Sequence, residues 1–263
     1  MVKMAQYGTV HGHGSGKLRA MVEHADVELV GVFEPNEVQR RKIADSDLGS
    51  DVHWFGSVDE MLGDESIVAV ASEGRNVESL AQTEALVKAD KHVWYDKPAG
   101  DDWVHWQAVV ALAREKHLKI QMGYMFRYHE GYCKISEWVK GGFLGDVFQI
   151  RAHMSTLLGV AQREAIAVHK GGVFYDLAAH QLDQIVWLLG RPEKVTSFLR
   201  NDSGEVPNCS DNALGVFEYE SAMVMLDISA LETRPAARRF EVYGTKGSAI
   251  MDPMEPADQI RLC

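Results

Sequence analysis

The feature that most constrains the fold is an alternation of short apolar segments with amphipathic ones over the first half of the chain. Strand-length apolar segments fall at residues 4–9, 27–33, 67–71, 92–95 and 120–122. Helical patterns lie between them at residues 17–24, 37–44, 77–89 and 103–116. This order predicts right-handed βαβ units and a parallel sheet. The run VELVGVF is apolar almost throughout, which is typical of a strand buried on both faces.

The second half has a different pattern. After a helical pattern at residues 129–140 come strand-type segments at 147–153, 195–200, 213–219, 223–229 and 239–243, with turn signals such as NDSG and GTKG between them. The pattern predicts an antiparallel or mixed sheet with a helix over residues 171–190 on one face. We therefore expect two domains, one over residues 1–122 and one over residues 123–263. Residues 155–170 are expected to form a loop or an irregular helix.

Composition excludes several classes of partner. The chain has 263 residues and a formal net charge of -11, which disfavours binding to a nucleic-acid backbone. No apolar stretch reaches membrane-spanning length, and the N-terminus lacks the apolar core of a signal peptide. The 3 cysteines share no metal-binding spacing. Reduced thiols and a cytoplasmic location are the simplest expectation.

A polar stripe runs along the predicted helix GGVFYDLAAHQLDQIVWLLG. At about 100° per residue, Asp176, His180, Asp183 and Trp187 fall on one face. The opposite face is apolar and consists of Phe174, Leu177, Ala178, Leu182, Ile185, Leu188 and Leu189. The polar stripe faces either water or a cleft, and helix geometry alone leaves both interpretations open.

A glycine-rich turn, YGTVHGHGSGKL, connects the first strand to the first helix. Such a turn allows a pyrophosphate to approach the backbone at a helix N-terminus. With Gly8 as the first position, Val10 and His13 take the other two glycine positions of the dinucleotide fingerprint. A purely structural turn is the alternative. No carboxylate or cysteine cluster accompanies His11 and His13 in the sequence, so no metal site is predicted.

Glu34 directly follows the second strand, at the separation from Gly8 where an acidic residue bonds the adenosine ribose. A carboxylate there repels a 2′-phosphate and favours NAD over NADP, although Arg40 and Arg41 follow closely. The alternative is an ordinary exposed glutamate in a turn with Pro35.

Lys97, in HVWYDKPAG, lies at the carboxyl end of a predicted parallel strand, the edge where ligands bind in open α/β sheets. The following Pro98 permits a cis bond that fixes a sharp turn. An ordinary surface lysine is the alternative.

Together, DKPAG and GGVFYDLAAHQLD resemble the paired signature of the glucose–fructose oxidoreductase / inositol dehydrogenase (Gfo/Idh/MocA) family. The first motif corresponds to Asp96, Lys97 and Pro98. The helix motif corresponds to Gly171, Gly172, Asp176, His180 and Asp183, with Val173 and Ala178 at two usual glycine positions. Residues 123–147 and the segment FEVYGTKGSAIMD are similar to the family's entry into its second domain and to a late sheet hairpin.

The resemblance implies an N-terminal Rossmann domain and a C-terminal α/β domain with an open, largely antiparallel sheet. It also implies an NAD-dependent oxidoreductase acting on a secondary hydroxyl of a sugar, inositol or related polyol, with NADP as the less favoured cofactor. His180 is then the general acid or base, Lys97 places the substrate hydroxyl, and Asp176 orients the substrate or His180.

The predicted site has further members. The cofactor-binding residues are Gly8, Val10, His11, Gly12, His13, Glu34 and Lys97, and the substrate-binding residues are Arg127, Asp176 and His180. Two alternative functions use the same fold, an NAD-using glycosidase and a non-catalytic dinucleotide-binding regulator. Because an open sheet leaves one face uncovered, we expect a homodimer or homotetramer. The chain ends at Cys263, earlier than most members of the family, so we expect the final sheet strands to be missing.

Overall fold

The computed structural model describes residues 1–235, 237–255 and 259–263. The chain divides into two compact units, Met1–Gly123 and Tyr124–Cys263. Among the described residues, none of the helices has both the length and the apolar composition that crossing a bilayer requires.

The first unit, every residue of which is described, is a parallel sheet with helices. Its strands are β1 (Val2–Tyr7), β2 (Val27–Phe33), β3 (Ala69–Ser72), β4 (His92–Tyr95) and β5 (Ile120–Met122). Its helices are α1 (Gly14–Glu23), α2 (Glu37–Ala44), α3 (Val58–Gly63), α4 (Ser79–Lys88) and α5 (Trp103–Glu115). The strands are all parallel in the order β2-β1-β3-β4-β5. The predicted parallel sheet is confirmed.

Two apolar clusters cover this sheet. One joins Val70 and Val93 of the strands to Leu86 of α4 and other buried residues. The other packs Leu18 of α1 against Val32 of β2. Each fully buried aliphatic side chain contributes about 1.5–3 kcal/mol to folding. The run VELVGVF, however, forms the edge strand β2, in which only Gly31 and Val32 are fully buried, so the expectation of burial on both faces was wrong for this strand.

The helices of this unit begin at side-chain caps where the sequence provides them. Asn36 accepts hydrogen bonds from the N–H groups of Val38 and Gln39 at the start of α2. Ser57 caps α3 by accepting from the Glu60 N–H. The six-residue α3 was not predicted, because so short a helix shows no apolar period.

The second unit contains a larger sheet. Its described strands are β6 (Val147–Met154), β7 (Lys194–Arg200), β8 (Asn212–Glu218), β9 (Met223–Ser229), β10 (Arg238–Gly244), β11 (Gly247–Met251) and β12 (Arg261–Leu262). Its described helices are α6 (Glu130–Lys140), α7 (Val160–Ile166) and α8 (Gly172–Leu189), preceded by a 3-10 turn at Met125–Tyr128. The strand order is β12-β11-β10-β6-β9-β8-β7. Among the described strands of this second sheet, only the β6–β9 pair is parallel, and the other pairs are antiparallel.

This mostly antiparallel sheet agrees with the prediction, with some differences. The segment 155–170 contains the regular helix α7. The late hairpin is β10–β11, which pairs Gly244 with Gly247, whereas β12 was not predicted. A strand of two residues is too short to show the alternation of apolar and polar residues in the sequence.

Helix α8 packs on one face of the second sheet. Its buried residues Val173, Ala178 and Ile185 share a core with Val224 and Leu226 of β9. Alternate residues of the strands point to the other face, where Phe198 is aligned with Leu214 and Val216 with Met225. This outward face carries apolar side chains, of which Phe198 is exposed.

Candidate functional site

Three parallel strands end side by side in the first unit. Strands β1, β3 and β4 end at Tyr7, Ser72 and Tyr95, and Gly8, Glu73 and Asp96 follow them directly. Because β1 lies between β2 and β3, the chain leaves β1 at the topological switch point of the sheet, where open α/β sheets bind ligands.

Gly8 permits the backbones after β1 and β3 to meet. Its φ is +83°, and a Cβ added there would lie 2.7 Å from the Gly74 nitrogen. The two loops are also joined by a hydrogen bond from the His11 N–H to the Glu73 carbonyl (3.1 Å). Only glycine satisfies both the backbone conformation and the space at position 8.

The glycine-rich turn is one residue longer than the predicted fingerprint. Helix α1 begins at Gly14, three residues before the predicted helical pattern. A Cβ on Gly14 would lie 3.2 Å from the Thr9 backbone, so Gly14, and not His13, takes the third glycine position, where helix and strand approach closely. A Cβ on Gly12 would meet no atom of the described residues within 4 Å, and Val10 is exposed. The turn therefore offers an open backbone surface beside the N-terminus of α1.

Buried charges lie beneath this turn. Lys17 of α1 forms ion pairs with Glu73 and with Asp96 Oδ2, the latter at 3.0 Å. Glu73 is 0% exposed and Asp96 is 4% exposed. His13 Nδ1 lies 3.0 Å from Asp96 Oδ2, and His11 Nδ1 lies 3.3 Å from Glu73 Oε2. The premise that no carboxylate accompanies the two histidines was therefore wrong, because the carboxylates come from distant parts of the sequence.

The cluster shifts two pKa values. Burial alone would raise the pKa of Asp96, but the hydrogen bond with His13 and the charge of Lys17 outweigh it and hold that pKa well below its ordinary value. The hydrogen bond with Asp96 raises the pKa of His13, against a smaller opposing effect of burial. Asp96 is therefore a carboxylate at neutral pH, and His13 is protonated more readily than an ordinary histidine.

Glu34 lies at the end of β2 and is 4% exposed, so its interpretation as an ordinary exposed glutamate was wrong. Its Oε2 accepts hydrogen bonds from the Thr9 N–H (2.6 Å) and hydroxyl (2.8 Å), and Oε1 accepts from the Asn36 N–H (2.9 Å). A carboxylate has about four acceptor positions. Roughly one of them, on Oε1, is left for a hydroxyl group.

Lys97 follows β4 and is 7% exposed, so it is not an ordinary surface lysine. The Lys97–Pro98 bond is cis. The Lys97 N–H donates to Asp96 Oδ1 at 2.7 Å, while Asp96 Oδ2 bonds His13. Asp96 therefore connects the glycine-rich turn with the backbone of Lys97.

The second unit holds the other predicted residues on α8. His180 is 4% exposed, so the solvated-face interpretation was wrong for this residue. The ring of Phe126 lies 5.2 Å from the His180 ring, and that of Tyr124 lies 6.5 Å from it. Asp176 lies one turn earlier on the same helix and is partly buried.

Arg127 binds Asp183 at two points. Its Nε and Nη2 donate to the two carboxylate oxygens at 2.8 and 2.6 Å, and this hydrogen bonding raises the pKa of Arg127. The guanidinium also lies 5.7 Å from the centre of the Trp187 ring. Much of the donor capacity of Arg127 is thus used within the unit, a role for Asp183 that the sequence analysis missed.

A parallel sheet with a glycine turn at its switch point and an acidic residue after β2 defines a Rossmann-type dinucleotide-binding unit. Residues 5–124 match the model of the oxidoreductase family with an NAD-binding Rossmann fold, and residues 132–250 match the GFO/IDH/MocA C-terminal domain. The chain belongs to the Gfo/Idh/MocA oxidoreductase family.

Similar proteins are known from several organisms. The chain is 25% identical over 201 residues to the Escherichia coli oxidoreductase YhhX, covering 76% of this chain but only 57% of YhhX. It is 26% identical over 253 residues to myo-inositol dehydrogenase Hyg17 of Streptomyces leeuwenhoekii, covering 91% and 75% of the two chains. The crystal structure of GenD2 from gentamicin A biosynthesis, in complex with NAD, shares the fold with a TM-score of 0.86 at 21% identity, covering 95% of this chain and 72% of GenD2.

Proposed function

We propose that this chain carries the machinery of an NAD-dependent dehydrogenase acting on a secondary hydroxyl of a sugar, inositol or related polyol. The observation that carries the proposal is the two-sided hydrogen bonding of Asp96, to His13 of the glycine-rich turn and to the Lys97 N–H. These two contacts of Asp96 keep the backbone of Lys97 beside the turn where a Rossmann unit binds the dinucleotide.

The residues of the first unit fit a dinucleotide. The N-terminus of α1 and the open backbone around Gly12 would receive the pyrophosphate, with Gly8, Val10, His11 and His13 lining the turn. Glu34 retains about one acceptor position for a ribose hydroxyl. A bound nicotinamide supplies the acceptor or donor of the hydride in such a site.

The preference for NAD over NADP rests on charge at the end of β2. The Glu34 carboxylate repels a 2′-phosphate. The two nearby arginines are engaged, since Arg41 pairs with Glu37 (3.3 Å) and Arg40 lies 5.7 Å from the centre of the Trp54 ring. Each arginine therefore already has a contact within the first unit.

The proton chemistry belongs to His180, Asp176 and Lys97. Oxidation of a carbinol requires a base to remove the hydroxyl proton, and an imidazole suits that step near neutral pH. In this proposal His180 removes the hydroxyl proton, and Asp176 orients the imidazole or a substrate hydroxyl. The Lys97 ammonium would bind the reacting oxygen and stabilise its developing negative charge. Arg127 remains a predicted substrate contact through the part of its guanidinium that Asp183 does not bind.

The substrate class is supported by the similarity to a myo-inositol dehydrogenase and to the inositol 2-dehydrogenase of Rhizobium meliloti, the latter at 21% identity. The test is to incubate the purified chain with inositols, sugars and sugar acids in the presence of NAD or NADP. Formation of reduced nicotinamide should depend on one class of polyol and should be faster with NAD. Dinucleotide binding without turnover of any polyol would contradict the proposal and favour a regulator, and cleavage of an aryl glycoside without net NADH would favour a glycosidase.

A further inference from the structure

Three potential metal ligands meet beneath the glycine-rich turn, since ligand atoms of His11, His13 and Asp96 lie within 4.8 Å of one another. Glu73 lies beside this group, with its Oε2 3.3 Å from His11 Nδ1. The two carboxylates are buried, and the two histidines cover them from the turn. All four residues belong to the first unit.

An orphaned carboxylate oxygen points into this cluster. Glu73 is 0% exposed, and its Oε2 has no hydrogen-bond donor among the described residues. A buried acceptor without a donor costs about 1–3 kcal/mol, and more when it carries a charge. This oxygen therefore indicates a missing donor or cation.

The hydrogen bonding of His11 also indicates that a cation is missing from this cluster. Its Nδ1 accepts a hydrogen bond from the His13 N–H at 3.2 Å, so this nitrogen carries a lone pair rather than a proton. The same nitrogen lies 3.3 Å from Glu73 Oε2 and 3.6 Å from Asp96 Oδ2. Three acceptor atoms face one another, an arrangement that a cation between them would stabilise.

Lys17 balances only part of the buried charge. Its ammonium bonds Glu73 Oε1 and Asp96 Oδ2, and it leaves Glu73 Oε2 unpaired. Lys17 therefore offsets only one of the two acidic side chains, and a cation beside Glu73 Oε2 would offset the other.

We propose that His11, His13, Glu73 and Asp96 form a binding site for a divalent transition-metal ion, best suited to Zn²⁺. Two imidazole nitrogens and two carboxylate oxygens are a ligand set that Zn²⁺ accepts in tetrahedral geometry. In the metal-bound form, His11 Nδ1 would coordinate the ion instead of accepting a hydrogen bond from the His13 N–H. Lys17 would remain paired with Glu73 Oε1, and Asp96 Oδ2 would bind the ion instead of Lys17.

The test is titration of the full chain with Zn²⁺ after treatment with a chelator and removal of dinucleotide. We expect one equivalent to bind to the chain, with a single binding transition in the calorimetric titration. Co²⁺ in place of Zn²⁺ should give the visible absorption of a four-coordinate site. Absence of stoichiometric binding would overturn the proposal.

Variants identify the ligands. We expect His13→Ala and Glu73→Gln each to weaken Zn²⁺ binding at least about tenfold, which corresponds to about 1.4 kcal/mol. The matched control is His24→Ala, which removes an exposed histidine of the same unit. Equal binding by His13→Ala and the control would overturn the proposal by assigning the metal to other groups. Far-UV circular dichroism checks that each variant is folded. Titration of Glu73→Gln with NAD separates loss of the metal site from failure of the proposed function, because Glu73 is not among the proposed dinucleotide contacts.

Discussion

Arg127 and Asp183 form a two-point ion pair that fastens the turn at Met125–Tyr128 to helix α8. Within that turn, the Phe126 ring lies 5.2 Å from the His180 ring. We propose that the ion pair helps to fix the orientation of His180 through Phe126, so that Arg127 and Asp183 act as positioning residues.

Breaking this pair should lower turnover. We expect Asp183→Asn and Arg127→Lys each to reduce kcat about tenfold, because a displaced imidazole no longer meets its substrate correctly. The double variant should lose little more than either single variant, which a double-mutant cycle measures. Lys194→Ala, which breaks an exposed pair with Glu218 (2.8 Å), is the control and should leave kcat unchanged. Strictly additive losses would contradict a shared role.

The proposed proton chemistry predicts that Lys97→Met and His180→Ala lose turnover by a factor of about 10² or more. Cofactor binding, measured by the fluorescence of the reduced nicotinamide, should be largely retained in His180→Ala. Lys88→Met is the control, since Lys88 is an exposed residue paired with Glu84 (2.8 Å). Full activity of either variant would refute its assigned role.

Replacing Glu34 should change the choice of cofactor. In Glu34→Gln the charge that repels a 2′-phosphate is removed, so the ratio of NADP to NAD affinity should rise about tenfold, or about 1.4 kcal/mol. The measurement is a binding titration with each dinucleotide. Glu65→Gln changes an exposed carboxylate elsewhere in the first unit and should leave the ratio unaltered. An unchanged ratio in Glu34→Gln would place the adenosine ribose elsewhere.

His153 predicts a pH-dependent stability. Its Nδ1 bonds Asp227 and its Nε2 lies 2.7 Å from Glu232 Oε2. A neutral imidazole donates through only one nitrogen, so both bonds require the imidazolium. The hydrogen bond with Asp227 is the largest cause that raises the pKa of His153, while burial opposes it.

Because the folded-state pKa is raised, this stabilisation is complete below the unfolded value of about 6.5 and is lost as the pH rises through the folded value. The difference in Tm between the parent chain and His153→Asn should therefore be larger at about pH 6 than well above the raised pKa. Gln149→Ala on the same strand should give a difference independent of pH. A His153→Asn difference that grows with pH would contradict this account.

The outward face of the second sheet predicts self-association. Phe198, Leu214, Val216 and Met225 form an apolar strip across β7, β8 and β9 on the face away from α8. We propose that a second copy covers this strip in a homodimer or homotetramer. Light scattering should report the oligomer for the parent chain and a smaller species for Phe198→Glu. Val38→Glu, an exposed change in the first unit, should not alter the mass. A monomeric parent chain would refute the proposal.

Periodic segments were predictable, and contacts between distant segments were not. Strands β2, β4, β5 and β9 have the predicted bounds, because each coincides with a short apolar or alternating segment that is visible in the sequence. The short α3 and β12 contain too few residues to show a period. Asp96 and Lys97 were recognisable by their motif and their place after β4.

The buried charge cluster escaped the sequence analysis for a topological reason. Lys17, Glu73 and Asp96 follow or precede different strands, and only the order β2-β1-β3-β4-β5 brings them together. The third glycine position was also misplaced, because the start of α1 depends on the approach of Gly14 to the Thr9 backbone.

The contrasting surroundings of the glycines in this turn define where cofactor preference can be redesigned. A library that varies Gly8 would collide with the neighbouring loop at Gly74, whereas Gly12 and Gly16 each face open space. Gly12 lies in the backbone surface proposed to receive the pyrophosphate, so a side chain there would occupy the place of the cofactor, whereas Gly16 can be changed while the strand ends stay in contact. Directed evolution of this loop should therefore accept changes at position 16 and retain glycine at positions 8 and 12.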